Sequence, residues 1–249
     1  MEEKRQARLI DTGERMIPPG GTEVSIVFAR HRFAYEFACR YVAGKIVLDV
    51  GCGTGYGCRI IADTAKRVVG LDRDSDALAY CSDNYSAPNI EYRRADVSVL
   101  SLAETVDVAI AFQVIEHLAD PAGFLARLKK TVKPGGTILI TTPNSRASSG
   151  SPSDNPFHIS EMSHGQFVQV MRENFQLFEV LGVGYAHRSR LREFVLKSPL
   201  YTLGKLLTRD SALKKAGVGA LNMTEFRILS DRVAQDAIDL LAVCTNLLR

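Results

Sequence analysis

The segment VLDVGCGTGYG, Val47 to Gly57, constrains this chain more than any other. An apolar run, Ile46 to Val50, leads into glycines at Gly51, Gly53, Gly55 and Gly57. Glycine costs backbone entropy when it is fixed, so such a cluster marks a place where bare backbone is needed. A buried strand that ends in a glycine turn and passes into a helix opens an α/β sheet whose carboxyl edge takes a ligand.

The stretches that follow agree with that start. KIVLDV (45–50), RVVGLD (67–72), NIEYRRAD (89–96), VDVAIAF (106–112), TILITT (137–142) and FQLFEVLGV (175–183) read as strands. Helices are predicted over 55–66, from about Ser75 behind an Asp74 or Ser75 cap, from Asp120-Pro121 to about Lys130, and from Ser163 to about Glu173. KPGG (133–136) is predicted to stop the third of these. Alternation of this kind implies right-handed βαβ units, a mostly parallel sheet and helices on both faces. Residues 23–43 are predicted to form a helix with an aromatic face. A second amphipathic helix is predicted at the C-terminal end, where Phe226, Leu229, Val233, Ala237, Leu240, Leu241, Cys244 and Leu248 fall at helical spacing.

Composition excludes several classes. The 249 residues carry 31 basic and 28 acidic side chains, a net charge of +3. That balance, with no basic stripe, speaks against nucleic acid and anionic membranes as partners. No run reaches the ~18 apolar residues of a membrane helix, and the polar start lacks a signal-peptide core. Five cysteines without paired spacing suit reduced thiols, so a cytoplasmic protein is expected.

Carboxylates narrow the ligand. The glycine spacing is G-x-G-x-G, whereas the dinucleotide fingerprint would need a third glycine where Tyr56 or Cys58 stands. Asp49, just before the loop, would repel a pyrophosphate and suit an ammonium. Asp72 ends the second strand, where a carboxylate holds a ribose diol. Asp96 ends the third, placed to accept from an adenine amino group. An adenosine joined to an ammonium-bearing tail without phosphate matches all three, and S-adenosylmethionine is that molecule.

The segments VLDVGCGTGYG, VVGLDRD (68–74), RADV (94–97), VDVAIAFQVIEHLADP (106–121) and LKKTVKPGGTILITTPN (128–144), in this order, resemble class I S-adenosylmethionine-dependent methyltransferases. The resemblance implies an α/β, Rossmann-like three-layer sandwich. It assigns an N-terminal helical lid to 1–43, the cofactor-binding domain to 44–184, and a helical C-terminal extension to 185–249. It implies that Asp49 and the backbone of Gly51, Cys52, Gly53 and Gly55 contact the methionine part. Asp72 would hold the ribose, Asp96 and Val97 the adenine, and Phe112 and Gln113 would close the site. The upstream stretch at 12–38 is similar to the lid of small methyltransferases found beside glycan- and metabolite-modifying enzymes. An arginine on such a lid meets the methionine carboxylate, and Arg32 is the candidate.

A sulfonium donor is already activated, so the protein mainly aligns the reactants. A hydroxyl acceptor also needs its proton removed. His117, after the fourth strand, and His158, after the fifth, are the candidate bases. A divalent metal is a further cofactor to consider, because RNA 2′-O-methyltransferases and ubiquinone-pathway O-methyltransferases carry Glu-x-x-Glu-His. Glu116, His117 and His158 match that pattern, but Gln113 replaces its first glutamate and removes an anionic ligand. The expected activity is O-methylation of a small polar acceptor such as a sugar or glycan precursor, by a monomer or homodimer. The competing readings are a metal-assisted RNA ribose methyltransferase and a non-catalytic, cofactor-binding partner subunit. Segments 1–41, 145–162 and 184–222 are expected to shape the acceptor site.

Overall fold

Short runs of Val, Ile and Leu become the middle of one eight-stranded sheet in the computed structural model, which describes residues 26–99, 104–145, 156–185, 226–230 and 234–247. The strands are β1 Ile46–Val50, β2 Arg67–Asp72, β3 Ile90–Arg94, β4 Val106–Phe112, β5 Val132–Pro143, β6 Leu177–Tyr185, β7 Phe226–Leu229 and β8 Asp239–Thr245. The helices are α1 Ile26–Val42, α2 Tyr56–Ala62, α3 Ser75–Asn84, α4 Pro121–Thr131 and α5 His164–Asn174. Strand order is β3-β2-β1-β4-β5-β8-β6-β7. Pairing is parallel from β3 through β5, and β8 and β7 run antiparallel to their neighbours.

Side chains that alternate along the strands feed two faces. Val47, Val108 and Ile110 pack with Ala38, Val42, Cys58 and Ile61 from α1 and α2. Leu48, Ala109 and Ala111 pack with Phe124, Leu128, Phe167 and Met171 from α4 and α5. Helix starts follow local chemistry. The Asp74 carboxylate accepts from the N–H groups of Asp76 and Ala77, and Asp120 accepts from Gly123 ahead of Pro121 at the first helical position. Ser163 and Gln166 form a capping box on α5.

Three expectations change. The helix predicted over 55–66 ends at Ala62. KPGG does not stand outside β5: the register jumps from Val106↔Val132 to Val108↔Thr137, so Lys133 to Gly136 bulge within the strand, with Gly135 at φ +77°. The described part of the predicted C-terminal helix is two strands, so 185–249 is no helical extension there. β8 lies between β5 and β6, with Val243 opposite both Leu139 and Glu179. A strand covered on both faces loses its two-residue alternation, and a short apolar run then reads equally well as helix. Val233, Leu248 and most of 184–222 lie outside the described residues.

The strand order reverses between β1 and β4. From there β2 and β3 extend one way and β5 the other. Open α/β sheets hold ligands in the crevice beyond the carboxyl ends at such a switch point. The glycine loop after β1 and the turn after β4 meet there.

Candidate functional site

The loop after β1 turns through Gly51, Gly53 and Gly55 at φ +71°, +54° and +82°. A side chain at Gly51 would collide with Val114, 2.7 Å from a Cβ placed there. At Gly53 nothing lies within 4 Å of that position, which leaves an open backbone face of the kind a ligand covers. The loop's own N–H groups are engaged within the protein. Gly51 and Cys52 both donate to the Leu71 carbonyl, and Gly53 donates to an Asp72 carboxylate oxygen at 2.9 Å. The loop therefore offers backbone surface, and these donors hold its shape.

Asp72 ends β2, and its second oxygen accepts from the Asp74 N–H at 3.0 Å. The carboxylate is thus aimed from two sides beside the loop. Asp96 follows β3 and accepts from the Ser98 N–H and hydroxyl at 2.8 and 2.7 Å, which hold its carboxyl below the usual range. It is an exposed, ionised acceptor, and Val97 begins the short 3-10 turn after it. Phe112 is buried at the end of β4, its ring 5.0 Å from that of Tyr35. Asp72 and Asp96 thus present carboxylate acceptors beside the open face at Gly53, and these residues fit the hydroxyls and amino group of an adenosine such as that of S-adenosylmethionine.

The geometry does not support the contacts expected of Asp49 and Arg32. Asp49 has no exposed surface. Its carboxylate accepts from the Tyr35 hydroxyl at 3.2 Å and the Cys58 thiol at 3.1 Å, below the loop, so it presents no oxygen to a ligand. Burial pushes its carboxyl up to about 7. Its role is to tie α1 and α2 beneath the glycine loop. Cys52 is buried in that same layer beside Cys58 and Cys81, and all three thiols are pushed up, away from the thiolate. Arg32 is exposed and pairs with Glu36 at 3.0 Å, one helical turn on. Arg30 is the arginine of α1 that turns inward, 2.7 Å from Asp239 of β8.

Gln113 adopts φ +55°, a conformation uncommon for a residue with a side chain and worth tracing to its cause. Its N–H donates to the Thr141 carbonyl, and its side chain reaches the Thr141 hydroxyl and Asp239. Gln113 therefore links the end of β4 to the Arg30–Asp239 pair. The sequence reading missed both members of that pair, because the phase of α1 and the strand nature of β8 were unknown.

Beyond Gln113 the chain makes a 3-10 turn, Ile115–His117. The Glu116 carbonyl accepts from Ile159 and Ser160 at 2.9 and 3.0 Å, and the Ser160 hydroxyl bonds the Ile115 and Leu118 carbonyls. These bonds pin the loop carrying His158 against the turn carrying His117. The two imidazoles sit 4.9 Å apart, edge to face. One donor atom from each of Glu116, His117 and His158 lies within 4.8 Å of the others. Two imidazoles and a carboxylate are a donor set for a transition metal rather than magnesium. Gln113 is turned away from this group towards Thr141 and Asp239.

Glu116 is buried, with one oxygen on the Thr142 hydroxyl and the other without a partner among the described residues. Burial first, then nearby Asp239 and Glu161, push its carboxyl up to about 8. Such a group is protonated more readily when folded, so its stabilisation is full below about pH 4.5 and is lost as pH rises through 8. Asp49 acts likewise up to about 7. His31, partly buried against the Tyr56 hydroxyl and pushed down to about 3 by desolvation, acts oppositely, but only below its ordinary value of 6.5. Between pH 6.5 and 8 the carboxyls are thus unopposed. The melting temperature is expected to fall by several degrees over that window, about 2 kcal/mol from Glu116. Glu116→Gln should flatten the slope. An unchanged slope in a thermal melt series would contradict this account.

A family model described as a methyltransferase domain matches residues 48–140. A protein of Mycolicibacterium smegmatis named "probable S-adenosylmethionine-dependent methyltransferase" is 34% identical over 248 residues, covering 94% of each chain. A ubiquinone biosynthesis O-methyltransferase of Pseudomonas fluorescens is 35% identical over 107 residues, covering 41% of this chain and 46% of its own. Among solved structures, the N-methyltransferase NodS of Bradyrhizobium japonicum, in complex with S-adenosyl-L-homocysteine, superposes with a TM-score of 0.54 at 15% identity. That match covers 87% of this chain and 85% of NodS, and shows a shared fold.

Proposed function

The chain belongs to the S-adenosylmethionine-dependent methyltransferases, and on that premise we propose that it methylates a hydroxyl oxygen of a small polar acceptor, with sugars and glycan precursors as the first class to test. S-adenosylmethionine, when bound, supplies a methyl group already activated on a sulfonium. The chain's own residues hold and aim. Asp72 accepts from the ribose hydroxyls, Asp96 with the Val97 backbone faces the adenine, and the Gly51–Gly55 backbone, with Phe112 and Gln113, bounds the remainder.

One observation carries the choice of oxygen. His117 and His158 stand side by side where β4 and β5 end, and each has Nδ1 engaged by an acceptor: the Phe157 carbonyl at 2.9 Å for His117, and the Glu161 carboxylate for His158. An imidazole that donates from Nδ1 keeps a lone pair on Nε2, ready to take a proton. A hydroxyl acceptor needs that service, whereas a neutral amine can attack without it. The relatedness of residues in this chain to a ubiquinone biosynthesis O-methyltransferase supports the same reading.

The test is formation of S-adenosylhomocysteine by purified protein with S-adenosylmethionine and panels of hydroxyl, amine and RNA acceptors, with and without a chelator. Turnover with a hydroxyl-bearing small molecule, unaffected by chelation and abolished by His158→Ala, is the expected result. Turnover only with amines would overturn the oxygen assignment. Loss on chelation would favour a metal at Glu116, His117 and His158, the three residues whose donor atoms converge. Tight cofactor binding without turnover on any panel would favour a partner-subunit role.

A further inference from the structure

We infer that Arg30 recognises the acceptor, and that the acceptor carries an anionic group, a carboxylate or a phosphate, beside the hydroxyl that is methylated. This rests on the small-acceptor, oxygen-methylation reading above and deepens it. Arg30 stands on α1, and its Nε lies 2.7 Å from Asp239 Oδ2. Asp239 is the first residue of β8, and its side chain is 5% exposed against 15% for Arg30. A buried arginine that only docks two elements commonly closes on its carboxylate with two parallel hydrogen bonds. This pair does not close. The Arg30 Nε–H and Asp239 Oδ1 are both buried without a hydrogen-bond partner. Neither Nη group of Arg30 has a partner among the described residues, so the fork of the guanidinium is left over.

The fork sits on the acceptor's side of the crevice. Sheet order runs β1-β4-β5-β8 with about 4.8 Å between neighbours, so β8 lies two strands past β4. Asp239 stands opposite Pro143 of β5 and Val183 of β6, at the carboxyl edge of β5. Gln113 reaches Asp239 from the end of β4, and Asp239 is near enough to Glu116 to disfavour that carboxyl's charge. The carboxylates assigned to the cofactor lie the other way, at the ends of β2 and β3. A methyl group delivered at the end of β4 would thus have its donor on one side and Arg30 on the other.

α1 is docked without the ion pair. Ala29 and Phe37 pack with Leu181, Val183, Phe226 and Leu241, and the Tyr35 ring sits on Phe112. Burying two charges is repaid only when their hydrogen bonds are completed, and here they are not. Two Nη donors side by side match two oxygens of a carboxylate or a phosphate. Asp239 already holds the guanidinium at Nε, so less side-chain freedom is lost when a ligand binds. S-adenosylmethionine carries a net positive charge, which also favours an anionic neighbour. Sugar acids and sugar phosphates join such an anion to hydroxyls, so they come first within the acceptor class.

The test uses full-length protein saturated with S-adenosylhomocysteine, which fills the cofactor site. It is titrated with D-glucuronate, D-glucose 6-phosphate and D-glucose, and binding is followed by saturation-transfer NMR. At least one anionic sugar is expected to bind about tenfold or more tightly than D-glucose, and the tighter of the two tells carboxylate from phosphate. Arg30→Gln should erase that preference. Arg30→Lys, which keeps the charge without the fork, should retain only part of it. Calorimetry should find S-adenosylmethionine binding to both variants within about threefold of wild type. Anionic sugars that bind wild type no better than D-glucose overturn the inference, as does a preference that survives Arg30→Gln. So does an S-adenosylmethionine affinity lowered about tenfold or more by Arg30→Gln, which would give the fork to the cofactor's own carboxylate. The wild-type titration decides even if both variants fail to fold. Oxygen methylation fails separately: turnover of anionic amines alone would sink it and leave Arg30 in its role. Turnover of uncharged hydroxyl acceptors in preference to anionic ones would sink the role of Arg30 alone.

Discussion

Asp72→Ala is expected to weaken S-adenosylmethionine binding between about tenfold and several hundredfold. Charge-assisted hydrogen bonds contribute roughly 1.5–3 kcal/mol each, and about 1.4 kcal/mol is a factor of ten. The carboxylate has two tasks. In the proposed site it is the acceptor for the ribose, and it fixes the Gly53 N–H at 2.9 Å, so its removal also loosens the open backbone face of the loop. Asp72→Asn keeps one oxygen acceptor and should fall between wild type and alanine. Calorimetric titration measures the affinities, and a thermal melt separates lost contact from lost fold. An alanine variant that binds like wild type would remove Asp72 from the site.

Gly57→Ala is expected to destabilise the whole domain by about 3 kcal/mol or more, the upper range for overpacking a core. At ~2–4 °C per kcal/mol for a chain of this size, the melting temperature should drop by roughly 6–12 °C. The added Cβ would lie 2.1, 2.3 and 2.5 Å from three atoms of the Tyr35 ring. That ring cannot retreat. Its centroid lies 5.7 Å from that of Tyr56 and 5.0 Å from that of Phe112, and its hydroxyl is held by both oxygens of Asp49. Tyr35 belongs to α1 and Gly57 to α2, so the clash pries the two helices apart. Combining it with Tyr35→Ala should recover part of the loss, because the two changes share one contact. Additive losses in the double variant would show that α1 docks elsewhere.

What the amino-acid order revealed, and what it hid, follows from a few residues. β1, β2 and β4 were legible because each is a short apolar run bounded by turn chemistry. Asp72, Asp96 and the glycines were legible because a parallel sheet places strand ends at one edge. Arg30 and Arg32 could not be told apart, since two helical residues differ by about 200° in direction and the face of α1 is set by its packing on Phe112 and β8. Asp49 looked like a ligand contact because sequence shows position along a strand but not depth beneath a loop. Glu161 carries no signal beyond standing three residues after His158. β8 was hidden by its own centrality, since Leu240, Leu241, Ala242 and Cys244 are all buried and show no alternation.

The place of β8 also bears on how the chain comes to be folded during synthesis. Its partners on β5 are made roughly a hundred residues before it, a separation that raises contact order and slows folding. At ~5–20 residues per second, the interval between the two strands is on the order of ten seconds. Until β8 is made, β5, and β6 once it has been synthesised, lack the neighbour that joins them, and their open backbone edges can template association with other nascent chains. The yield of soluble protein from a ribosome should therefore depend on temperature and chaperone supply during the interval between residues 143 and 239, more than on the stability of the finished sheet.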